Sequence, residues 1–242
     1  MSALLSVESV SKSFRGLRAV QEASFEVPAA SIVALIGPNG AGKTTCFNLI
    51  AGVFAPDAGA IRFDGRRIDG QRPDQICAAG IGRTFQIVKP FAGLSVLDNV
   101  MVGALLRTRS TAAARAQSMA ILERLGLAAK AEAPAATLTL PERKRLEVAR
   151  ALATQPRLLL LDEVMAGLRP TECDQMVEVF RELNARDGLT ILLIEHVMRA
   201  VMALAAHIVV LNFGRVIARG SPQQIVRDPE VLGCYLGEDV EI

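Results

Sequence analysis

The sequence predicts an α/β fold, on three observations. Short apolar runs alternate with stretches of helical spacing along most of the chain. One such run, SIVALI at 31–36, leads directly into a glycine-rich turn and a helix-compatible segment. Another, LLLL at 158–161, ends in two acids, and four apolar residues in a row read as a strand covered on both faces. The 242 residues suit one large domain, or an ordinary domain carrying an inserted lobe. With 51 % hydrophobic and 21 % charged residues, a disordered or fibrous chain is excluded.

Residues 4–10 and 24–27 read as the first strands, and 31–36 as the next. Pro56-Asp57-Ala58-Gly59 and Asp64-Gly65 are turn signals, with a strand expected at 60–63 between them. A further strand is expected at 82–85. From about 87 to 156 the composition shifts to Ala, Leu and Arg at helical spacing, which reads as an inserted helical lobe. Ser95-Val96-Leu97-Asp98 has the form of a helix-starting box, and Gly126 that of a helix stop. Strand character returns at 157–161, 190–194, 208–211 and 216–218. Ser221-Pro222 supplies an N-cap and a first helical residue for a tail helix. The chain has no internal repeat and no low-complexity linker.

The 27 basic and 25 acidic residues nearly cancel, so no broad field for nucleic acid or lipid is implied. Cys46, Cys77, Cys173 and Cys234 lie far apart with no CxxC, which argues for reduced thiols over a disulfide framework or a zinc site. The mean hydropathy of +0.33 makes a membrane span worth testing. Residues 191–211 have the length, but Glu195, His196, Arg199 and His207 interrupt them, and one central charge costs ~2.5–3.5 kcal/mol on insertion. That stretch reads as strand, helix and strand. The N-terminal segment carries Glu8 and lacks a basic start before a long apolar core, so no secretory signal is expected. The expectation is a chain kept in the cytosol, able to sit against a membrane.

Gly37-Pro38-Asn39-Gly40-Ala41-Gly42-Lys43-Thr44 matches the phosphate-binding pattern G-x-x-x-x-G-K-[ST], with the strand before it and the helix after it that the pattern requires. Glycines let the backbone approach phosphate oxygens, and successive N–H groups at a helix start supply positive potential. Lys43 is placed to reach the β- and γ-phosphates, and the Thr44 hydroxyl to hold Mg²⁺. Asp162 emerges at the C-terminal end of the 158–161 strand, where ligands of open α/β sheets bind, and is a second candidate for Mg²⁺ or its water. Glu163 follows it and is the candidate general base on water attacking the γ-phosphate. Gln86 and His196 each follow an expected strand and could contact Mg²⁺, water or the γ-phosphate. Each also reads as a plain loop or helix-start residue.

The order of glycine loop, Gln86, helical insertion, LxxxERKRLEVARAL, LLLLDE and His196 resembles the ATP-binding subunits of ABC transporters, over essentially the whole chain. The resemblance implies a P-loop NTPase fold with a mixed sheet core, an N-terminal antiparallel β subdomain and an inserted helical lobe. It implies one domain over 1–242, with 1–86 and 157–242 as the core and 87–156 as the lobe. Gly37 to Thr45, with Thr45 included, would be the Walker A loop, and 158–162 the Walker B strand. Glu163 would be the catalytic glutamate, Gln86 the Q-loop residue and His196 the switch histidine. Ala166-Gly167-Leu168 would be a dimer-contact loop. Phe14 falls where the family stacks an aromatic on adenine, although a core role suits it nearly as well.

RTFQIVKPFAGLSVLDNVMVGAL, AGLRP and ILLIEHVM look like the branched-chain amino acid uptake group, and the tail from Gly220 to Asp239 is similar to the tail that closes those proteins. Related tails occur in lipopolysaccharide-export ATPases, so the tail leaves the direction of transport open. The resemblance implies ATP and Mg²⁺, a second ATPase subunit in a homo- or heterodimer, and two transmembrane permease subunits. It also implies a solute-binding protein acting indirectly, no nucleic acid, and a peripheral place on the cytoplasmic side of the inner membrane. The solutes implied are branched-chain or other hydrophobic amino acids, or related small polar solutes. Val88, Phe91 and Leu94 are candidate contacts to the permease, or else simple lobe packing.

One departure has chemical content. In that family a nucleotide lies between one subunit's Walker A and the other's signature, usually LSGGQ; here the aligned residues are Leu138-Thr139-Leu140-Pro141-Glu142. Thr139 can replace the serine hydroxyl. Pro141 has no N–H to offer, and Glu142 brings a negative charge toward a phosphate. Thr139-x-x-Glu142 is also a helix capping box, so a helix is still expected from 142 to 153. If the chain pairs with a different subunit that has a complete signature, two unequal ATP sites follow as an expectation, and a regulatory subunit with weakened hydrolysis stays open. Val164 stands where relatives often have proline; nothing in the chain explains it.

Overall fold

The computed structural model describes residues 3–86 and 89–235. Its strands are β1 (Ala3–Phe14), β2 (Leu17–Pro28), β3 (Ile32–Ile36), β4 (Ala58–Phe63), β5 (Arg66–Arg67), β6 (Ile81–Arg83), β7 (Leu158–Asp162), β8 (Thr190–Ile194), β9 (His207–Asn212) and β10 (Arg215–Gly220). The helices are α1 (Lys43–Ile50), α2 (Pro73–Ala79), α3 (Val96–Ala104), α4 (Thr111–Arg124), α5 (Leu140–Ala153), α6 (Pro170–Asp187), α7 (Met198–Leu204), α8 (Pro222–Ile225) and α9 (Pro229–Tyr235).

Two sheets form. One is antiparallel, in the order β2-β1-β4-β5; the other is mixed, in the order β10-β9-β3-β8-β7-β6, with only β10 antiparallel to its neighbour. Strands β3, β7 and β8 are buried at every position, as continuous apolar runs require when both faces are covered. Successive residues of β3 point to opposite faces. Val33 and Leu35 pack with the antiparallel sheet and α1, and Ile32, Ala34 and Ile36 pack with α6, α7 and the helical lobe. Helix α1 therefore lies between the two sheets, its Phe47, Leu49 and Ile50 fully covered.

The local signals act as physical chemistry dictates. Ser95 caps α3 by accepting from the Asp98 N–H at 3.0 Å, and Ser221 caps α8 the same way from Gln224 at 3.4 Å. Gly126 takes φ +68 just past the end of α4. Several bounds differ from expectation. β1 and β2 each run 12 residues, because register shifts near Val7–Val10 and positive φ at Ser9 and Glu22 carry the pairing through stretches whose alternation is broken. β6 ends at Arg83, where Phe85 turns out to solvent. Helix α5 starts at Leu140, since proline is tolerated in its first turn. No described helix is long and apolar enough to cross a membrane.

Candidate functional site

The phosphate loop runs from the end of β3 to the start of α1. Gly37 has φ +150, and a Cβ there would lie 2.0 Å from the Leu211 carbonyl oxygen. Gly42 has φ +103, and its Cβ would lie 2.4 Å from the Ala19 carbonyl oxygen. Both positions thus need glycine for conformation and for space. The loop is braced from outside, where the Gly214 N–H donates to Ala41 O at 2.9 Å. Lys43 is buried, and its Nζ donates to the carbonyls of Gly37 at 2.6 Å and Pro38 at 2.9 Å. The side of the loop away from the core is open: Asn39, Gly40 and Thr44 are exposed, and Pro38 and Thr45 are half-buried.

Three of the sequence candidates meet. Glu163 accepts from Gln86 Nε2 through Oε2 at 2.6 Å, and its Oε1 lies 2.8 Å from His196 Nε2. These residues stand at the exits of β6, β7 and β8, which neighbour one another in the sheet. The Glu163 backbone is fixed as well. Its N–H donates to Ile194 O at 2.9 Å, its carbonyl accepts from Lys144 Nζ at 2.9 Å, and its φ is +50. A positive φ in a residue with a Cβ persists only where the surroundings impose it. Phe14 stands apart on the β1–β2 hairpin, edge-on to Phe54 at 5.1 Å and with Lys12 Nζ 5.7 Å from its ring centre. Thr139 also stands apart, bonded to Glu142.

Asp162 lies fully buried at the end of β7. Burial pushes its carboxyl up, and Arg83 pulls it partly back, with Nη2 at 3.0 Å from Oδ2. Its other oxygen, Oδ1, is buried with no hydrogen-bond partner among the described residues. A buried carboxylate oxygen with no donor is costly unless a cation or a metal-bound water completes it. Asp162 Oδ1 with the Thr44 hydroxyl fits the hard oxygen donors that Mg²⁺ prefers.

Sequence reasoning missed several buried or nearly buried charges, among them Arg83, Lys144 and Glu195. Arg83 was read only as part of RTFQ. Lys144 occupies the covered stripe of α5 with Glu147, Val148 and Ala151, a spacing of i, i+3, i+4 and i+7 that could have flagged it. Burial pushes its ammonium down, against the pull of nearby Glu195, Glu163 and Asp162. Glu195 directly follows the apolar strand β8, as Glu163 directly follows β7, and that parallel was the available signal. It accepts from the Met165 N–H at 2.8 Å, and its Oε2 has no partner among the described residues.

Burial raises the Glu195 pKa to about 7. An unfolded chain loses this proton near pH 4–5, so between there and about 7 the fold binds more protons, and stability falls as pH rises. Glu195→Gln is therefore expected to unfold at a higher temperature than wild type at pH 8. The gain is on the order of 2 kcal/mol, or roughly 5 °C, and the two curves should coincide near pH 4, below the unfolded pKa. Thermal unfolding at both pH values checks this.

A family model described as ABC transporter matches residues 20–166, and one described as Branched-chain amino acid ATP-binding cassette transporter matches residues 215–241. The chain is 41 % identical to the high-affinity branched-chain amino acid transport ATP-binding protein LivG of Escherichia coli (strain K12), covering 97 % of this chain and 98 % of LivG. The chain belongs to the ABC transporter ATP-binding family. It is also 39 % identical to the high-affinity branched-chain amino acid transport ATP-binding protein BraF of Pseudomonas aeruginosa, over 97 % of this chain and 98 % of BraF, and 36 % identical to the lipopolysaccharide export system ATP-binding protein LptB of Acidithiobacillus ferridurans over the full length of both. Among solved structures, the ADP conformation of MJ1267, an ATP-binding cassette of an ABC transporter, superposes with a TM-score of 0.89 at 30 % identity, over 98 % of this chain and all of that one.

In this ABC ATPase the segment aligned with the signature begins α5. The Thr139 N–H and hydroxyl both donate to Glu142 Oε2 at 2.9 Å, and Glu142 Oε1 pairs with Lys130 at 2.6 Å. These partners, Lys130 and the Thr139 N–H first, hold the Glu142 carboxyl below its usual range. The hydroxyl expected to serve a phosphate is thus turned to Glu142. Between the lobes lies a groove of about 350 Å³, lined by Val53, Arg83, Phe85, Val102 and Arg150 among others. Phe91 and Leu94 are exposed near it, with the Phe91 backbone fastened to the buried Asn99. Val88 lies outside the described residues.

Proposed function

We propose that this chain is the ATP-hydrolysing subunit of an ABC importer for branched-chain or related hydrophobic amino acids. The observation that carries the hydrolytic part is the meeting of Gln86, Glu163 and His196 at hydrogen-bond distance, at the strand ends of a sheet that also carries the phosphate loop. The importer reading is supported by LivG and BraF and by the tail family at 215–241. The LptB likeness is weaker at 36 % identity.

We take 1–242 as one ATPase domain, with 1–86 and 157–242 as core and 87–156 as lobe. ATP binds with its phosphates along Gly37 to Thr45 and its adenine on Phe14. Thr44, Gln86 and Asp162 would hold magnesium, which when bound neutralises charge on the β- and γ-phosphates. Lys43 turns from the Gly37 and Pro38 carbonyls to the γ-phosphate, and Glu163 takes the proton of the attacking water. His196 steadies Glu163 and the transferring group. The partners are a second ATPase subunit and two permease subunits docking in the groove near Phe91 and Leu94. A solute-binding protein acts indirectly, and the chain sits on the cytoplasmic face of the membrane without nucleic acid. Because Thr139 is turned to Glu142 and Pro141 has no N–H, in a pair with a different subunit that has a complete signature the ATP site built on this chain's signature is the slower of the two.

Reconstitution with its permease, partner ATPase and binding protein in vesicles tests the proposal. Leucine or isoleucine uptake that needs ATP is the expected result. ATP turnover with no uptake of any amino acid would sink the importer reading.

A further inference from the structure

Arg83 ends β6 with its side chain between the groove and the phosphate-loop helix. Nη2 donates to Asp162 Oδ2 at 3.0 Å, and Nη1 donates to Asn48 Oδ1 on α1 at 2.7 Å. The guanidinium lies 6.0 Å from the centre of the Phe47 ring and 5.4 Å from that of Phe85. Phe47 is fully buried on α1, while Phe85 is exposed in the groove. The Arg83 and Asp162 side chains are 11 % and 1 % exposed.

A planar guanidinium can hold two acceptors in fixed directions, which a lysine ammonium does not. Here it joins the acid at the end of β7 to the helix that starts at Lys43. Its bond to Oδ2 fixes the carboxylate plane and leaves Oδ1 as the oxygen without a partner. Two aromatic rings, Phe47 and Phe85, lie within cation–π reach and help to hold the guanidinium in place.

We propose that Arg83 is a positioning residue that aims Asp162 Oδ1 at the magnesium of bound ATP. It touches neither nucleotide nor metal; it acts through Asp162. The proposal rests on the magnesium-dependent ATP binding set out above. Removing a partner behind a metal-holding group lowers metal affinity about ten- to hundredfold in known sites.

The test is calorimetric titration of the full chain with ATP, once with Mg²⁺ and once with EDTA. Wild type is compared with Arg83→Met, Arg83→Lys, Asp162→Asn and the double variant Arg83→Met with Asp162→Asn. Manganese bound alongside ATP, read by electron paramagnetic resonance, gives a second measure. Arg83→Met is expected to lose about tenfold or more of the Mg²⁺-dependent gain in affinity while keeping wild-type affinity in EDTA. Arg83→Lys, which restores charge beside Oδ2 without the bond to Asn48, should recover part of it. The double variant should be no worse than Asp162→Asn alone. An unchanged Mg²⁺-to-EDTA ratio in Arg83→Met would overturn the proposal. So would equal losses with and without Mg²⁺, or a double variant with additive losses. If Arg83→Met does not fold, Arg83→Lys decides, and a wild-type ratio there overturns it. A wild type with no Mg²⁺-dependent gain would instead defeat the proposed function.

Discussion

Glu163→Gln is expected to lower ATP turnover of the assembled transporter by about a hundredfold or more while leaving ATP affinity near its wild-type value. A positioned general base contributes on the order of 10²–10⁴ to such a step. The amide keeps the size of the side chain and one acceptor for Gln86 or His196, so the strand exits stay in place. It cannot take a proton from water. The same change made in the partner ATPase gives the second reading. The site that uses Lys43 and Glu163 of this chain also uses the partner's signature. The other site relies on Thr139, Pro141 and Glu142, so the loss from altering this chain should exceed that from altering the partner. Equal losses would count against unequal sites.

Gly37→Ala is expected to disable nucleotide binding through the fold. The added methyl would lie 2.0 Å from the Leu211 carbonyl oxygen, at φ +150, and the carbonyl is backbone of β9, the neighbour of β3. No side chain can swing away to relieve the contact. Strain and overpacking together cost on the order of 3 kcal/mol. In a chain of this size that lowers the unfolding temperature by roughly 6–12 °C. ATP titration should show affinity reduced at least about tenfold even at 20 °C. By contrast, Gly40 has open space where its Cβ would be, so Gly40→Ala bears only the conformational penalty of φ +78.

The parts of the site that could be read from the chain are those set by local pattern. β3, β7 and β8 are continuous apolar runs, and glycines at 37 and 42 with Lys43 announce a turn against phosphate. Those features need only neighbours in sequence. The β1–β2 hairpin was harder, because bulges near Ser9 and Glu22 break the alternation that marks a half-covered strand. The buried charges were harder still. Arg83 and Asp162 are 79 residues apart, and Lys144 meets the Glu163 carbonyl across 19. A charged residue declares its burial only through the partner that compensates it, and that pairing belongs to the folded chain.

The bonds on Glu163 carry a consequence for its reach to water. Each carboxylate oxygen is already engaged, one by Gln86 and one by His196. Water that is to be activated by Glu163 must compete with both for its carboxylate. Gln86 follows β6, so the oxygen it holds is uncovered only when its side chain turns away from Glu163. With both bonds in place the carboxylate is sheathed, and proton transfer to it must first break one of them.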